Sequence, residues 1–251
     1  MKKQIESPSL RLGGELISGR VADRLVQEIR SGCYANLDHL PPEVALADRL
    51  GVSRTAVRDA LSELERAGYI ERVRGIGTVI NRPVAALDSR MDQKLEFTRM
   101  IAAMGYRPRC DHLMVTRQAA SPKTAALLGL EPGQTVLVVC KRLLADTRPV
   151  LYSTDILPLA LFGGHLPEGA DFGRPVFELL QQCCGIQIAS TIAHPHAVTG
   201  EPSVRRLLEL APGQALLELE EVCYDRLCRP VLRCQTCYTD FFNFSLVRKL
   251  V

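Results

Sequence analysis

The stretch GVSRTAVRDALSELERAG, residues 51–68, decides how this chain folds at its start. Ser53 is a strong helix N-cap, because its hydroxyl accepts from an orphan backbone N–H one turn on, and Gly51 lets the preceding chain turn tightly. A helix is therefore expected from Ser53, closed by Gly68. Val57, Ala60, Leu61 and Leu64 recur at the spacing of one buried stripe. That leaves Arg54, Thr55, Arg58 and Ser62 on the other side, with the two arginines one turn apart and projecting together. An apolar back with an Arg/Thr/Ser front suits a DNA major groove, where arginine pairs bidentately with guanine while hydroxyls and the helix N-terminus hold phosphates. An ordinary solvated helix face has the same composition, so the flanks must separate the two.

Upstream, LPPEVALADRLG (40–51) sets proline at a helix start and then Val44, Ala45, Leu46, Ala47 and Leu50, so a short helix precedes the Gly51 turn. Two helices about a glycine-containing turn make a helix-turn-helix. Downstream, YIERV (69–73) and TVINR (78–82) are β-prone runs around Arg74-Gly75-Ile76-Gly77, the pattern of a hairpin and a candidate wing. Its tip carries Arg74 among glycines that let backbone approach a phosphate, with Arg72 close by. SGRVADRLVQEIRSG (18–32) adds a leading helix with Val21, Leu25, Val26 and Ile29 on one side.

The segments LPPE, LADRLGVSRTAVRDAL and LERAGYIERVRGIGTVI together resemble the winged helix-turn-helix of GntR-family transcriptional regulators over residues 15–82. The resemblance implies operator contacts by Arg54, Thr55, Arg58 and Gly75. With the cap and the wing, the candidate DNA-binding set is Ser53, Arg54, Thr55, Arg58, Arg72, Arg74 and Gly75. Pro42 stands where that family usually has a small residue, and Val44 where it often has Arg or Lys, so one common DNA contact is missing.

Bulk charge neither demands nor resists this reading. The 251-residue chain has 31 Lys+Arg against 28 Asp+Glu, a net +3, so a DNA binder must concentrate its charge locally. The length suits two domains. No apolar core region follows the N-terminal lysines and no long apolar run appears, so a cytoplasmic protein without a membrane partner is expected. Nine cysteines make an odd count that fits no closed disulfide framework, and reduced thiols are expected. Cys234 and Cys237 invite a zinc reading, but residues three apart on a strand face opposite sides; His194 and His196 share a side without a third ligand. No metal and no cofactor are expected.

The rest of the chain repeats itself. LLGLEPGQTVL (127–137) returns as LLELAPGQALL (207–217), 80 residues later, and RPVLYSTDILP (148–158) as RPVLRCQTCYT (229–239), 81 later. Each unit has a helix, a Pro-Gly turn and paired strands, which implies a duplicated α+β domain. LGLEPGQTVLVVCKR, RPVLYSTDILP, PVFELLQQCCGI and YDRLCRPVLRCQTCY resemble the UTRA effector-binding domain of the HutC branch of the GntR family, over roughly 96–250. The resemblance implies a chorismate-lyase-like antiparallel sheet, a small-molecule effector and a homodimer. The expected order is a winged domain at 15–82, a linker at 83–95 containing AALDSRMDQ, and a UTRA domain at 96–251.

Sugar-phosphate-sensing relatives place an Arg-x-Arg pair after the first long strand, a serine at the first helix, and two glutamates and a tyrosine on the sugar. Carried over, these positions fall on Arg142 and Leu144, Glu96, Ser153, Leu232 and Tyr238. The candidate effector set is thus Glu96, Arg142, Ser153 and Tyr238, one cation fewer and one anion more than such a site, which disfavours a phosphosugar and points to a neutral or amine-bearing metabolite. A salt bridge within the sheet remains the plain alternative for Arg142. The expected function is a ligand-responsive DNA-binding regulator, a repressor on a near-palindromic operator. A DNA-binding protein without effector and a lyase-like enzyme fused to a DNA-binding domain remain open, although no acid/base pair or nucleophile motif marks catalysis.

Overall fold

The computed structural model describes residues 17–93 and 96–249. They fall into two compact units, one running to Leu87 and taking back the segment from Ser245, the other spanning Asp88–Phe244.

In the first unit the order is α1 (Ile17–Ser31), β1 (His39–Leu40), α2 (Glu43–Leu50), α3 (Arg54–Arg66), β2 (Ile70–Val73), β3 (Gly77–Ile80) and α4 (Arg82–Ala85). Ser53 caps α3 as expected, its Oγ accepting from Ala56 N–H at 3.1 Å. Val57, Ala60, Leu61 and Leu64 are buried against Val21, Leu25, Ile29 and Leu46 in one core. β2 and β3 form the expected hairpin, and β1 adds an edge strand that the sequence reading missed.

Two domain boundaries need correction. The expected linker at 83–95 begins inside the first unit: Asn81 caps α4, Val84 and Ala85 join the core, and Arg82 donates to the carbonyl oxygens of Ile29 (3.0 Å), Tyr34 and Leu37. The expected second domain to 251 also ends early. Val247 packs on the first core, and Lys249 Nζ reaches the Glu65 carbonyl (3.1 Å) and the Glu71 carboxylate (2.8 Å). Both errors have one cause: a few apolar side chains find a core that local pattern does not reveal.

α1 and α2 are joined by a buried charge. Glu28, 6% exposed, accepts from both nitrogens of the Arg49 fork and from Arg24 Nε at 2.9 Å. Arg49 holds the carboxyl well below its usual range, at about 2. The folded pKa is depressed, so the pair's stabilisation is present above about pH 4.5 and is lost as pH falls towards 2. Glu28→Gln is expected to cost about 1–2 kcal/mol at neutral pH, since it removes the charge that Arg49 and Arg24 pair with while the Arg49 guanidinium keeps partial access to water. It should also flatten the acid dependence. Thermal melts of both proteins across this range check it, and parallel curves would sink the assignment.

The second unit is built twice. Short β4 (Ser89–Arg90) precedes α5 (Phe97–Ala103), β5 (Pro108–Ala119), α6 (Pro122–Leu128), β6 (Thr135–Ala145) and β7 (Arg148–Pro158). After a 3-10 turn at Leu159–Phe162 come α7 (Val176–Cys184), β8 (Ile188–Val198), α8 (Pro202–Leu207), β9 (Leu216–Asp225), β10 (Pro230–Tyr238) and a two-residue β11 (Phe244–Ser245). Helix, strand, helix and hairpin thus recur, so the duplication reaches further back than the two sequence echoes. Even the turns match: Gln134 Oε1 accepts from Glu131 N–H at 3.0 Å, and Gln214 Oε1 from Ala211 N–H at 3.2 Å. The six long strands make one antiparallel sheet, β5-β6-β7-β10-β9-β8, symmetric about the β7/β10 seam.

Alternation assigns the two faces. One carries Leu137, Val139, Lys141 and Leu143 on β6, with the register partners Leu157, Asp155, Ser153 and Leu151 on β7. α5 covers one end of it through Phe97, Met100 and Ile101, and α7 the other through Val176 and Leu180. α6 and α8 cover the opposite face. Cys234 and Cys237 lie in cores on opposite faces.

Candidate functional site

The first site is the front of α3. Arg54, Thr55 and Arg58 are exposed, and beyond Arg58 Nε lying 3.5 Å from Glu43 Oε2 the arginine is 60% exposed. The cap takes the Ala56 N–H, and the positive end of the α3 dipole lies beside the exposed arginines, a favourable setting for phosphate. At the hairpin tip Arg74 is exposed and Gly75 has φ +82, a left-handed conformation that side chains rarely adopt.

Arg72 has a different position from its neighbours in the expected set. Its backbone N–H and Nε donate to the two oxygens of Glu65 at 2.9 and 2.8 Å, and Nη2 donates to Glu65 (2.6 Å) and Ser62 Oγ (3.2 Å). The guanidinium beside Glu65 holds that carboxyl below the ordinary carboxylate range. Arg72 therefore ties the wing to the back half of α3. Arg72→Ala is expected to lower the melting temperature of the winged unit by the equivalent of about 1 kcal/mol and to leave base preference unchanged. Calorimetry paired with binding to operator point variants checks this. An altered base preference at full stability would reverse it.

The second site lies on the sheet, and the expected effector residues do not all meet there. Arg142 faces the α6/α8 side, opposite to Ser153 and Tyr238, because it neighbours Lys141 on one strand and pairs with Tyr152. Its fork grips Asp111 at 2.7 and 2.8 Å, and Nη1 donates to the Leu207 carbonyl at 2.7 Å. This is the salt bridge within the sheet, and it takes Arg142 out of any site shared with the other three. Tyr238, 2% exposed, has its ring in an aromatic cluster, 6.1 Å from Phe97, 5.4 Å from Phe242 and 5.0 Å from Phe244. Glu96 precedes α5 and reaches over to α7, its Oε1 accepting from Phe177 N–H at 3.2 Å.

Ser153 sits in a band of polar side chains that the sequence reading missed. Lys141, Ser153, Asp155, Glu221 and Thr236 share one face and are each no more than 3% exposed. Ser153 Oγ donates to Asp155 Oδ1 at 3.2 Å and lies 3.4 Å from Thr236 Oγ1. Lys141 Nζ donates to the Arg174 carbonyl at 3.0 Å and stands 3.4 Å from Asp155 Oδ2. Apolar cores lie on both sides of the band: Leu157, Leu232 and Leu180 towards α7, Leu151, Leu219 and Tyr238 towards α5. A strict alternation from Ser153 across the hairpin would have selected Lys141 rather than Arg142.

Comparison with known proteins joins the two units. Residues 17–80 match the model of bacterial regulatory proteins of the gntR family, and residues 103–240 match that of the UTRA domain. The chain belongs to the GntR family. Its likeness to a histidine utilization repressor of Pseudomonas aeruginosa is 27% identity over 199 residues, covering 79% of this chain and 77% of that protein. An HTH-type transcriptional regulator of Rhizobium meliloti is 28% identical, over 84% of this chain and 86% of that one. The crystal structure of PhnF from Mycobacterium smegmatis aligns with 94% of this chain and 100% of that chain, at a TM-score of 0.59 and 25% identity. This GntR protein is accordingly a DNA-binding transcriptional regulator with an effector-binding UTRA domain, built as a winged helix-turn-helix and an antiparallel sheet. No helix among the described residues is long and apolar enough to cross a membrane.

Proposed function

We propose that this regulator is a homodimeric, cytoplasmic, non-catalytic repressor that leaves a near-palindromic operator when a small molecule occupies the polar band of its sheet. The observation that carries the DNA half is the exposed row Arg54, Thr55 and Arg58 on a capped helix beside a wing tipped by Arg74. Ser53 contributes its cap, Gly75 its backbone, and Arg72 the placement of the wing. The repressing sign is suggested by relatives such as the histidine utilization repressor. Long edge strands β5 and β8, bearing exposed Leu113, Met114 and Ile192, support a dimer, since strands of that length are usually covered. Two-fold symmetry in the protein then requires a matching symmetry in the DNA.

The buried polar band favours a sensor over a DNA-binding protein without effector, because a core built only for stability gains little from five polar side chains in its midst. By linkage, the factor by which effector weakens operator binding is the factor by which operator weakens effector binding.

Arg58→Ala is expected to cost about 1–3 kcal/mol on the natural promoter and to relax one base position. Arg74→Ala should weaken binding evenly across sequences and reduce the salt slope by about 1. Fluorescence anisotropy on promoter DNA over a salt series measures both, and full affinity with unchanged preference for Arg58→Ala would remove α3 from the groove.

A further inference from the structure

We infer that Ile76, at the tip of the wing, is a specificity residue: it enters the minor groove of the operator and makes the protein prefer A·T over G·C pairs there. This rests on the reading of α3 and the wing as the DNA-contacting elements, and it adds a base preference that the arginines do not supply. Ile76 is 64% exposed, more than any other large apolar side chain described in the first unit. The hairpin does not need it for its own fold. Its apolar anchors are Ile70 and Ile80, register partners at the base of the hairpin, both buried in the core. The tip itself is closed by backbone, with Ile76 N–H donating to the Val73 carbonyl at 3.1 Å.

The neighbours of Ile76 make the tip slim and hold it in place. Gly75 and Gly77 flank it with φ of +82 and +109, so a single apolar side chain stands between two stretches of bare backbone. Open space surrounds both glycines. The minor groove, about 6 Å wide, is too narrow for a helix but takes such a tip, and apolar side chains are used there as wedges. Arg74, two positions back, is exposed and supplies a cation for the phosphates at the groove's edge. The grip of Arg72 on Glu65 fixes the wing beside α3, so the tip has a set place relative to the bases that α3 reads. Chemistry then gives the preference. At the centre of the minor-groove floor adenine presents a C–H, where guanine presents its 2-amino donor. Isoleucine has no acceptor to offer, so over G·C it would bury that donor unpaired. Over A·T it meets the C–H and leaves the acceptors on either side to water.

The test titrates the full-length protein against promoter duplexes in which each base pair flanking the α3 half-sites is made A·T, G·C or inosine·cytosine in turn. Inosine·cytosine keeps the major-groove face of G·C and lacks the 2-amino group, so it isolates the minor groove. At the pair beneath the tip the parent should bind the A·T and inosine·cytosine duplexes about tenfold more tightly than the G·C duplex. Ile76→Ala should keep the parent's melting temperature and the preference read by α3, and bring the three duplexes within about twofold of one another. Equal affinity of the parent for all three at every flanking pair would overturn the proposal. So would a preference that survives in Ile76→Ala, or one in which inosine·cytosine behaves as G·C, since that belongs to the major groove. Promoter binding by the parent and its weakening in Arg58→Ala report separately on the DNA reading. With both in place, a negative result removes Ile76 alone; without promoter binding by the parent, both readings fall.

Discussion

The seam between β7 and β10 holds the second unit together. Each half of the duplication is a hairpin extended by one long strand, with its own two helices, and neither has a partner for the exposed backbone of its inner strand until the other half supplies it. Antiparallel pairing from Arg233–Ile156 to Tyr238–Leu151 satisfies both inner edges and brings two apolar faces into one plane. The helices then have a continuous surface to cover, with α5 and α7 on one side and α6 and α8 on the other. Polar groups placed near that seam lie as far from solvent as the sheet allows. This is why Ser153, Asp155 and Thr236, all small or short, are completely buried.

Much of this was legible in the chain itself. α3 announced itself through a cap, a stripe and a stop, each a local effect. The wing followed from two β-prone runs around glycines, and the duplication from echoes in register. What the sequence concealed was long-range. The two residues of β1 have no pattern of their own, and α4 looks like connector until Arg82 is seen satisfying three carbonyls of the α1 turn region. Arg72 carries the same charge as Arg74 and lies two positions away, yet Glu65 on a neighbouring element engages one and leaves the other exposed.

The effector residues show the limit most clearly. Matching by resemblance put Arg142 in the site, and a shift of one position on a strand sends a side chain to the opposite face. Lys141 was passed over because a lysine within TVLVVCKRLLA looks like an interruption of an apolar run. Asp155 was passed over because TDIL resembles ordinary strand sequence. Neither signal is chemical; both are questions of phase, which pairing across the sheet settles.

The duplication carries a final consequence. Lys141 and Glu221 occupy the same place in their respective halves, 80 residues apart, so the two halves have kept one scaffold while diverging to opposite charge at equivalent points. Asp155 and Thr236, 81 residues apart, set a carboxylate in one half against a neutral hydroxyl in the other. A scaffold with near two-fold symmetry would, with identical side chains, accept a small guest equally well in either of two orientations. These substitutions make the cradle polar from end to end. A guest turned end for end would meet Glu221 in place of Lys141 and Thr236 in place of Asp155, so the cradle distinguishes head from tail as well as shape.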